Sequence, residues 1–167
     1  MKNKFLVVLL AGLFLVMFVS QGTAQKQKLD LKKIADNIIK VGNSGDPVAF
    51  CNLYAEDAVM IQSGEAGPVR GRAAIEKSTR VFYRAMPDMK MEVSSVRYFG
   101  DTIIFELVFH GTFTGPMTTP EGDVAPTGKR LNCRAAFFAK ISPEGLIAED
   151  RTYFDSMEFM KQLGLMK

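Results

Sequence analysis

The second half of this chain is dominated by predicted β-strands, and this constrains the fold more than any other feature. Residues 90–99, 102–114, 129–141 and 146–154 are rich in β-branched and aromatic side chains and carry alternating polar and apolar positions. Gly100 and Asp101 leave room only for a tight hairpin between the first two segments. We therefore expect a curved antiparallel sheet of four to six strands.

The first half supplies helices that can cover such a sheet. Apolar residues recur at helical spacing over 29–41, and a second helix is predicted over 47–55 with Asp46 as its N-cap. A third helix is predicted over 73–85, and 58–62 reads as a short strand. Helices followed by strands, rather than alternating with them, indicate an α+β fold.

The chain ends on a strand that runs directly into a short amphipathic helix. Asp155 is the predicted N-cap of this helix, and Glu158 three residues later completes a capping box. Two segments rich in glycine and proline, 64–71 and 115–128, are predicted to be loops. The longer loop is expected to be a functional lid or a plain hairpin connection.

Residues 1–24 are predicted to be a signal peptide, because a basic start, an apolar run and small residues before Gln25 follow one another. The alternative is a retained membrane anchor. Removal leaves a single domain over 25–167, and the loss of Lys2 and Lys4 lowers the formal charge from +3 to +1. An exported protein is therefore expected, with no basic excess for nucleic-acid binding.

Two cysteines, Cys51 and Cys133, fall at mostly apolar positions of a predicted helix and a predicted strand. An oxidising compartment would permit a disulfide, and two buried thiols are the alternative. Two cysteines and a single histidine, His110, show no metal-ligand spacing, so neither a metal nor another cofactor is predicted.

Several motifs in this order resemble the SnoaL-like proteins of the nuclear-transport-factor-2-like superfamily, a group that includes polyketide cyclases and ester cyclases. The motifs are Asn-Ser-Gly-Asp at 43–46, Leu-Tyr-Ala-Glu-Asp-Ala-Val at 53–59, Gly-Arg-Ala-Ala-Ile at 71–75, Pro-Thr-Gly-Lys-Arg at 126–130 and the tail at 147–164. The resemblance implies a cone-shaped fold, a pocket between helices and sheet, and frequent homodimers.

The catalytic positions of the superfamily's ketosteroid isomerases are not kept in this chain. Their aspartate base falls on Gln62, their tyrosine on Ile38, and their second aspartate on Phe137 or Ala136. Steroid-type isomerisation is therefore excluded. The resemblance also places the aspartate of SnoaL-like cyclases on the strand over 131–141, which contains no carboxylate here.

The remaining acid/base candidates are His110, Glu106 and Asp150. Glu106 and His110 share one strand face about 13 Å apart, which is too far for a direct hydrogen bond. In the functional interpretation His110 transfers a proton and Glu106 or Asp150 tunes it. In the structural interpretation Glu106 pairs with Arg134 on the neighbouring strand, and His110 lies near a strand end or a dimer surface.

Five residues are candidates for ligand binding: Tyr54, Gln62, Arg134, Arg151 and Tyr153. Tyr54 is expected on a helix face, where its hydroxyl can point into the pocket. Alternation along the last strand groups Arg151 and Tyr153 with Ile147, and Asp150 with the opposite face. An inward Arg151 would suit an anionic ligand, and an outward one would be a solvated or dimer-interface charge.

Three functions follow from these observations. The chain can be a binding protein for a small hydrophobic or amphipathic molecule, an acid/base enzyme of cyclase, hydrolase or dehydratase type, or a dimeric interaction domain. A meeting of His110 and a carboxylate in one cavity would favour the enzyme.

Overall fold

The computed structural model of this protein describes residues 29–119 and 122–166, so the predicted signal peptide lies outside the described residues. Its helices are α1 Leu31–Gly42, α2 Pro47–Cys51, α3 Arg72–Ala85 and α4 Ser156–Gln162. Its strands are β1 Tyr54–Gln62, β2 Val69–Arg70, β3 Lys90–Phe99, β4 Thr102–Thr112, β5 Met117–Thr119, β6 Gly122–Val124, β7 Arg130–Ile141 and β8 Ile147–Phe154. The α+β class is confirmed.

The main sheet has six strands in the order β2-β1-β8-β7-β4-β3, and β5 and β6 form a separate hairpin. The long strands β3, β4, β7 and β8 pair antiparallel, as the sequence predicts. The pairing of β1 with β8 is parallel, with Met60 opposite Asp150 and Gln62 opposite Thr152. A parallel pair needs a long connection, and most of the domain separates these two strands.

The segment after α2 differs from its prediction. Helix α2 ends at Cys51 rather than at Ala55, and Tyr54 begins β1 instead of lying on a helix face. Ladder pairing overrides the local helical pattern here, because Ile147 N donates a hydrogen bond to Leu53 O at 2.8 Å and Tyr54 pairs with Ile147. The two predicted loops likewise contain the short strands β2, β5 and β6.

The main core lies between one face of the sheet and α1, α2 and α3. On β4 the buried Ile103, Phe105 and Leu107 alternate with exposed Glu106, so one face of the strand packs inward. Phe105 stacks on Phe137 of β7 with ring centroids 5.3 Å apart. This packing joins β4 and β7 within the main core.

The predicted helix caps are formed. Asp46 accepts hydrogen bonds from the first-turn amides of α2, and Asp155 accepts them from Met157 N and Glu158 N of α4. The Glu158 carboxylate, predicted to complete a capping box, accepts a hydrogen bond from Gln162 Nε2 at 2.9 Å within α4. Cys51 and Cys133 are both buried and both free, so the predicted buried thiols are found rather than a disulfide.

No helix in the described ranges is long and apolar enough to cross a membrane.

Candidate functional site

A cavity of about 100 Å³ lies between the sheet and the helices α2, α3 and α4. Most of its wall is aromatic or thioether. Six phenylalanines line it, Phe50, Phe82, Phe109, Phe137, Phe154 and Phe159. Four methionines complete this apolar wall, Met60, Met86, Met89 and Met91. Methionine side chains are flexible, so the wall can adapt to the shape of a bound molecule.

One carboxyl group, that of Asp150, lies in this apolar wall. Asp150 is 3% exposed, and its two oxygens have separate donors. The Tyr54 hydroxyl donates to Asp150 Oδ2 at 2.7 Å, and the Thr152 hydroxyl donates to Oδ1 at 2.8 Å. The three residues come together because β1 and β8 lie side by side in the sheet and Asp150 and Thr152 share one face of β8.

Burial controls the acidity of this group. Removal from water raises the pKa of Asp150 to about 6, against the opposing effect of the hydrogen bonds from Tyr54 and Thr152. Burial and the adjacent carboxylate raise the pKa of Tyr54 well above its usual range, so its hydroxyl keeps its proton. At pH 7 Asp150 is mostly a carboxylate that holds two neutral donors.

The other polar groups of the wall are neutral. Tyr83 donates its hydroxyl hydrogen to Gly42 O at 2.9 Å, and burial raises the pKa of Tyr83 to about 12. Burial raises the pKa of the Cys133 thiol to about 11, so it stays protonated. The remaining polar lining residues include Gln62 and Thr79. Within the described ranges, no lysine, arginine or histidine lines the cavity.

Three of the predicted site residues lie in this cavity: Tyr54, Gln62 and Asp150. Tyr54 points its hydroxyl into the site as predicted, but from a strand rather than a helix. The structure joins Tyr54 to Asp150, which the sequence did not pair. Gln62 lines the cavity through its place on β1, opposite Thr152.

His110 does not line the cavity and does not meet Asp150. It lies on the outer face of β4, with Nδ1 2.6 Å from Asn132 Oδ1 and Nε2 2.9 Å from Glu92 Oε2. These partners come from the two strands that flank β4. The cavity geometry therefore gives no support to the predicted acid/base role of His110, because strand alternation places Phe109 at the inward position.

Glu106 and Arg134 are also exposed on the outer face. They are not directly opposite in the ladder, since Glu106 pairs with Ala136 and Arg134 with Val108. No ion pair joins Glu106 to Arg134 in the part of the chain that the structure describes. Neither residue touches the cavity, so the predicted roles of Glu106 in catalysis and Arg134 in ligand binding have no support from the cavity geometry.

Arg151 and Tyr153 face away from the cavity as well. Arg151 Nε donates to Glu149 Oε1 at 2.7 Å, and Tyr153 is 47% exposed beside Phe138. The ladder between β7 and β8 has an irregularity between Lys140 and Ile141. It lets Ile147 point inward while Arg151, at the same sequence parity, points outward.

The predicted site residues include none from α3. Ser78, Thr79, Phe82 and Tyr83 of this helix line the cavity, as does Met86 directly after it. Their spacing of three and four residues places them on one helix face, and this spacing was the available signal. It does not distinguish a cavity wall from ordinary core. No group of three or more histidine, cysteine, aspartate or glutamate residues within the described ranges could hold a metal ion.

Comparisons with known proteins agree with this architecture. IdmH, a candidate polyketide cyclase from Streptomyces antibioticus, is 25% identical with a TM-score of 0.65 over 81% of this chain and 99% of that chain. AclR, a candidate hydroxylase from Streptomyces galilaeus, is 20% identical with a TM-score of 0.67 over 81% of this chain and 85% of that chain. A candidate SnoaL-like polyketide cyclase from Jannaschia sp. CCS1 is 15% identical with a TM-score of 0.69 over 81% of this chain and 92% of that chain.

A search of curated proteins gives no match. A family model described as SnoaL-like polyketide cyclase matches residues 32–163, which is most of the chain. With the helix and strand order described above, this match shows that the protein belongs to the SnoaL-like polyketide cyclase family and has the nuclear-transport-factor-2-like fold.

Proposed function

We propose that this protein binds a small, largely apolar molecule in the cavity and holds its polar group beside Asp150. The observation that carries the proposal is the buried carboxyl of Asp150, the one carboxyl among the described lining residues, in a wall that is mostly aromatic and methionine. Ligand sites typically combine an apolar wall with a few placed polar groups that fix orientation. Tyr54 and Thr152 hold the carboxyl in one position, so a ligand meets a preformed polar end.

Native mass spectrometry of the purified protein tests this proposal, together with a thermal-shift screen of small apolar compounds. Cys133→Phe fills the cavity, and Arg134→Phe adds the same side chain to the outer face of the same strand. We expect Cys133→Phe to abolish ligand binding and Arg134→Phe to leave it intact, with both variants folded by circular dichroism. Equal binding by the two variants would remove the cavity from the proposal.

A second function, proton transfer to or from the bound molecule, is favoured by the acidity of Asp150. A pKa of about 6 is close to neutrality, where a carboxylate can act as general base and its acid form can return the proton. The family's cyclase carboxylate is missing from β7, and Asp150 supplies one from the neighbouring strand, opposite Ala139. This position would support the chemistry of polyketide cyclisation.

Exchange of α-hydrogens of cyclohexanone in D₂O, followed by NMR, tests for this activity without a known substrate. General-base catalysis typically contributes about 10²–10⁴-fold, so Asp150→Asn should slow protein-dependent exchange by at least about 100-fold. Exchange at the same rate in both proteins would leave binding as the function.

We also propose a homodimer formed through the outer face of the sheet. Half-buried Ile104, Val108 and Phe138 lie on this face with exposed Tyr153, and the resemblance to the family favours dimers. Light scattering of the protein and of its Arg151→Glu variant tests this arrangement, because a like-charge contact at the interface should release monomers. A monomeric wild type, or a dimer insensitive to the charge reversal, would contradict it.

Export is proposed from residues 1–24 alone. Cell fractionation and the mass of the mature protein test it, and the expected chain begins at Gln25. A protein that keeps its first 24 residues in the membrane fraction would favour the anchored alternative.

A further inference from the structure

Among the described residues, the cavity wall has one buried negative charge and no positive charge. Of the lining residues in the described ranges, Asp150 alone is ionised near neutral pH. Its two hydrogen-bond donors, Tyr54 and Thr152, are neutral hydroxyl groups. The ion pairs of the described ranges all involve other carboxylates. A charge buried in this way is unfavourable unless a counter-charge compensates it.

The rest of the wall is suited to a cation with apolar substituents. Aromatic rings attract cations through the negative potential of their faces, and the six phenylalanines are joined by Tyr54 and Tyr83. Methionine sulfur is polarisable and adds to the same environment. An anionic ligand would lie beside a carboxylate in a medium of low dielectric constant, where repulsion between like charges is strong.

We propose that the cavity binds an organic cation, a protonated or quaternary amine, with its nitrogen beside Asp150 and its apolar groups against the phenylalanine and methionine side chains. This inference rests on the proposed binding function and narrows its ligand class. An inward Arg151 would have selected an anionic ligand. Because β8 presents Asp150 to the cavity and Arg151 to the outside, the expected ligand is a cation instead.

Three probes of nearly equal shape separate charge from size. Choline carries a quaternary nitrogen, 3,3-dimethylbutan-1-ol replaces that nitrogen by carbon, and 3,3-dimethylbutanoate is the corresponding anion. Titrations of the purified protein by calorimetry and NMR at neutral pH should show that choline binds at least about tenfold more tightly than the alcohol and that the anion binds most weakly. The reason is that pairing with the Asp150 carboxylate and cation–π contacts act on choline alone.

The variants Asp150→Asn and Glu149→Gln form a matched pair. They remove adjacent carboxylates on opposite faces of β8, and only Asp150 lines the cavity. We expect Asp150→Asn to weaken choline binding at least about tenfold while the alcohol changes by less than about twofold. Glu149→Gln should leave both affinities unchanged, which excludes a general effect of net charge.

The outcomes distinguish this inference from the proposed function. If the alcohol binds as tightly as choline, or if Asp150→Asn leaves the preference for choline unchanged, the cation proposal is overturned and small-molecule binding stands. If none of the three probes binds at millimolar concentration and the thermal-shift screen also finds no ligand sensitive to Cys133→Phe, both proposals are overturned. Thermal melting of each variant confirms that it is folded.

Discussion

Glu149 and Asp150 are adjacent carboxyl groups on one strand, yet their environments differ in every respect that matters for chemistry. Glu149 lies on the outer face of β8, where a hydrogen bond from Arg151 lowers its pKa. Asp150 faces the cavity, where burial raises its pKa to about 6. The comparison shows that strand alternation alone can turn one carboxyl into a solvated ion pair and the next into a reactive or ligand-binding group.

The same contrast extends across the sheet. The inner face carries the core and the cavity, including Phe137 and Asp150, whereas the outer face carries charged and half-buried groups such as Arg134 and Phe138. Substitutions at adjacent positions should therefore have very different effects, and pairs of neighbours give the sharpest tests of this division.

The largest expected difference lies between Phe137 and Phe138. Phe137 is 3% exposed and stacks on Phe105, so Phe137→Ala should lower the free energy of unfolding by about 3–5 kcal/mol through lost burial and a new cavity. Phe138→Ala, which loses only a half-buried edge contact with Tyr153, should cost about 1 kcal/mol. Urea denaturation of both variants at dilutions where the chain is monomeric measures the difference, and equal losses would mean that Phe138 is packed as tightly as Phe137 within one protomer.

The second prediction compares Asp150→Asn with Glu149→Gln over a range of pH. The pKa of Asp150 is about 6 in the folded protein against an ordinary 3.8, so the folded state binds this proton more tightly than the unfolded state does. The free energy of unfolding therefore rises as the pH falls from above about 6 toward 3.8. Ionisation at pH 7 therefore costs about 3 kcal/mol, and Asp150→Asn should be more stable than wild type there by up to that amount.

For Glu149 the sign is opposite. Its pKa is lowered in the folded state, so its stabilising effect is present above the unfolded pKa and is lost as pH falls through the folded value. Glu149→Gln should consequently reduce stability at pH 7 and match wild type in acid. Thermal melting of the two variants from pH 7 to pH 4 checks both signs, and a gain in stability at neutral pH for Glu149→Gln would contradict the assignment of faces.

How far the sequence predicts this division can be judged from the last strand. Alternation correctly separated Asp150 and Thr152 from Arg151 and Tyr153, but it did not say which pair faces inward. Both sets mix polar and apolar residues, and the buried Ile147 belongs by parity with the outward set. Only the irregularity in the β7–β8 ladder resolves this, and such an irregularity is not visible in a single sequence.

Tyr54 shows a second limit of the same kind. The strands 90–99, 102–114, 129–141 and 146–154 were predicted well because each has its own alternating pattern, and the α+β class followed from them. The start of β1 depends instead on a parallel partner more than 90 residues away, as the hydrogen bond from Tyr54 to Asp150 illustrates. Local propensity carries no information about such a distant partner, so the central pair of the site was missed.

The third prediction compares Tyr54→Phe with Tyr153→Phe. The first removes a hydrogen bond of 2.7 Å to a buried carboxylate, which should cost about 1.5–3 kcal/mol at pH 7. It should also raise the pKa of Asp150 further, since the lost bond favours the ionised form. Tyr153→Phe should change neither quantity measurably. Urea denaturation and an NMR titration of the Asp150 carboxyl measure them, and an unchanged pKa in Tyr54→Phe would show that this hydrogen bond does not stabilise the carboxylate.

The smallest expected effect belongs to the charged pair on the outer face. Arg151 Nε lies 2.7 Å from Glu149 Oε1, but both side chains remain partly exposed, Glu149 at 33% and Arg151 at 47%. Within one protomer solvent and salt screen such a pair, so at dilutions where the chain is monomeric Arg151→Gln should lower the free energy of unfolding only slightly, and the loss should shrink as salt is added. A larger loss that persists in high salt would mean that Arg151 is buried against another surface, as the proposed dimer requires. Because that loss would also depend on protein concentration, denaturation at two concentrations separates a partner chain from a strong pair within one chain.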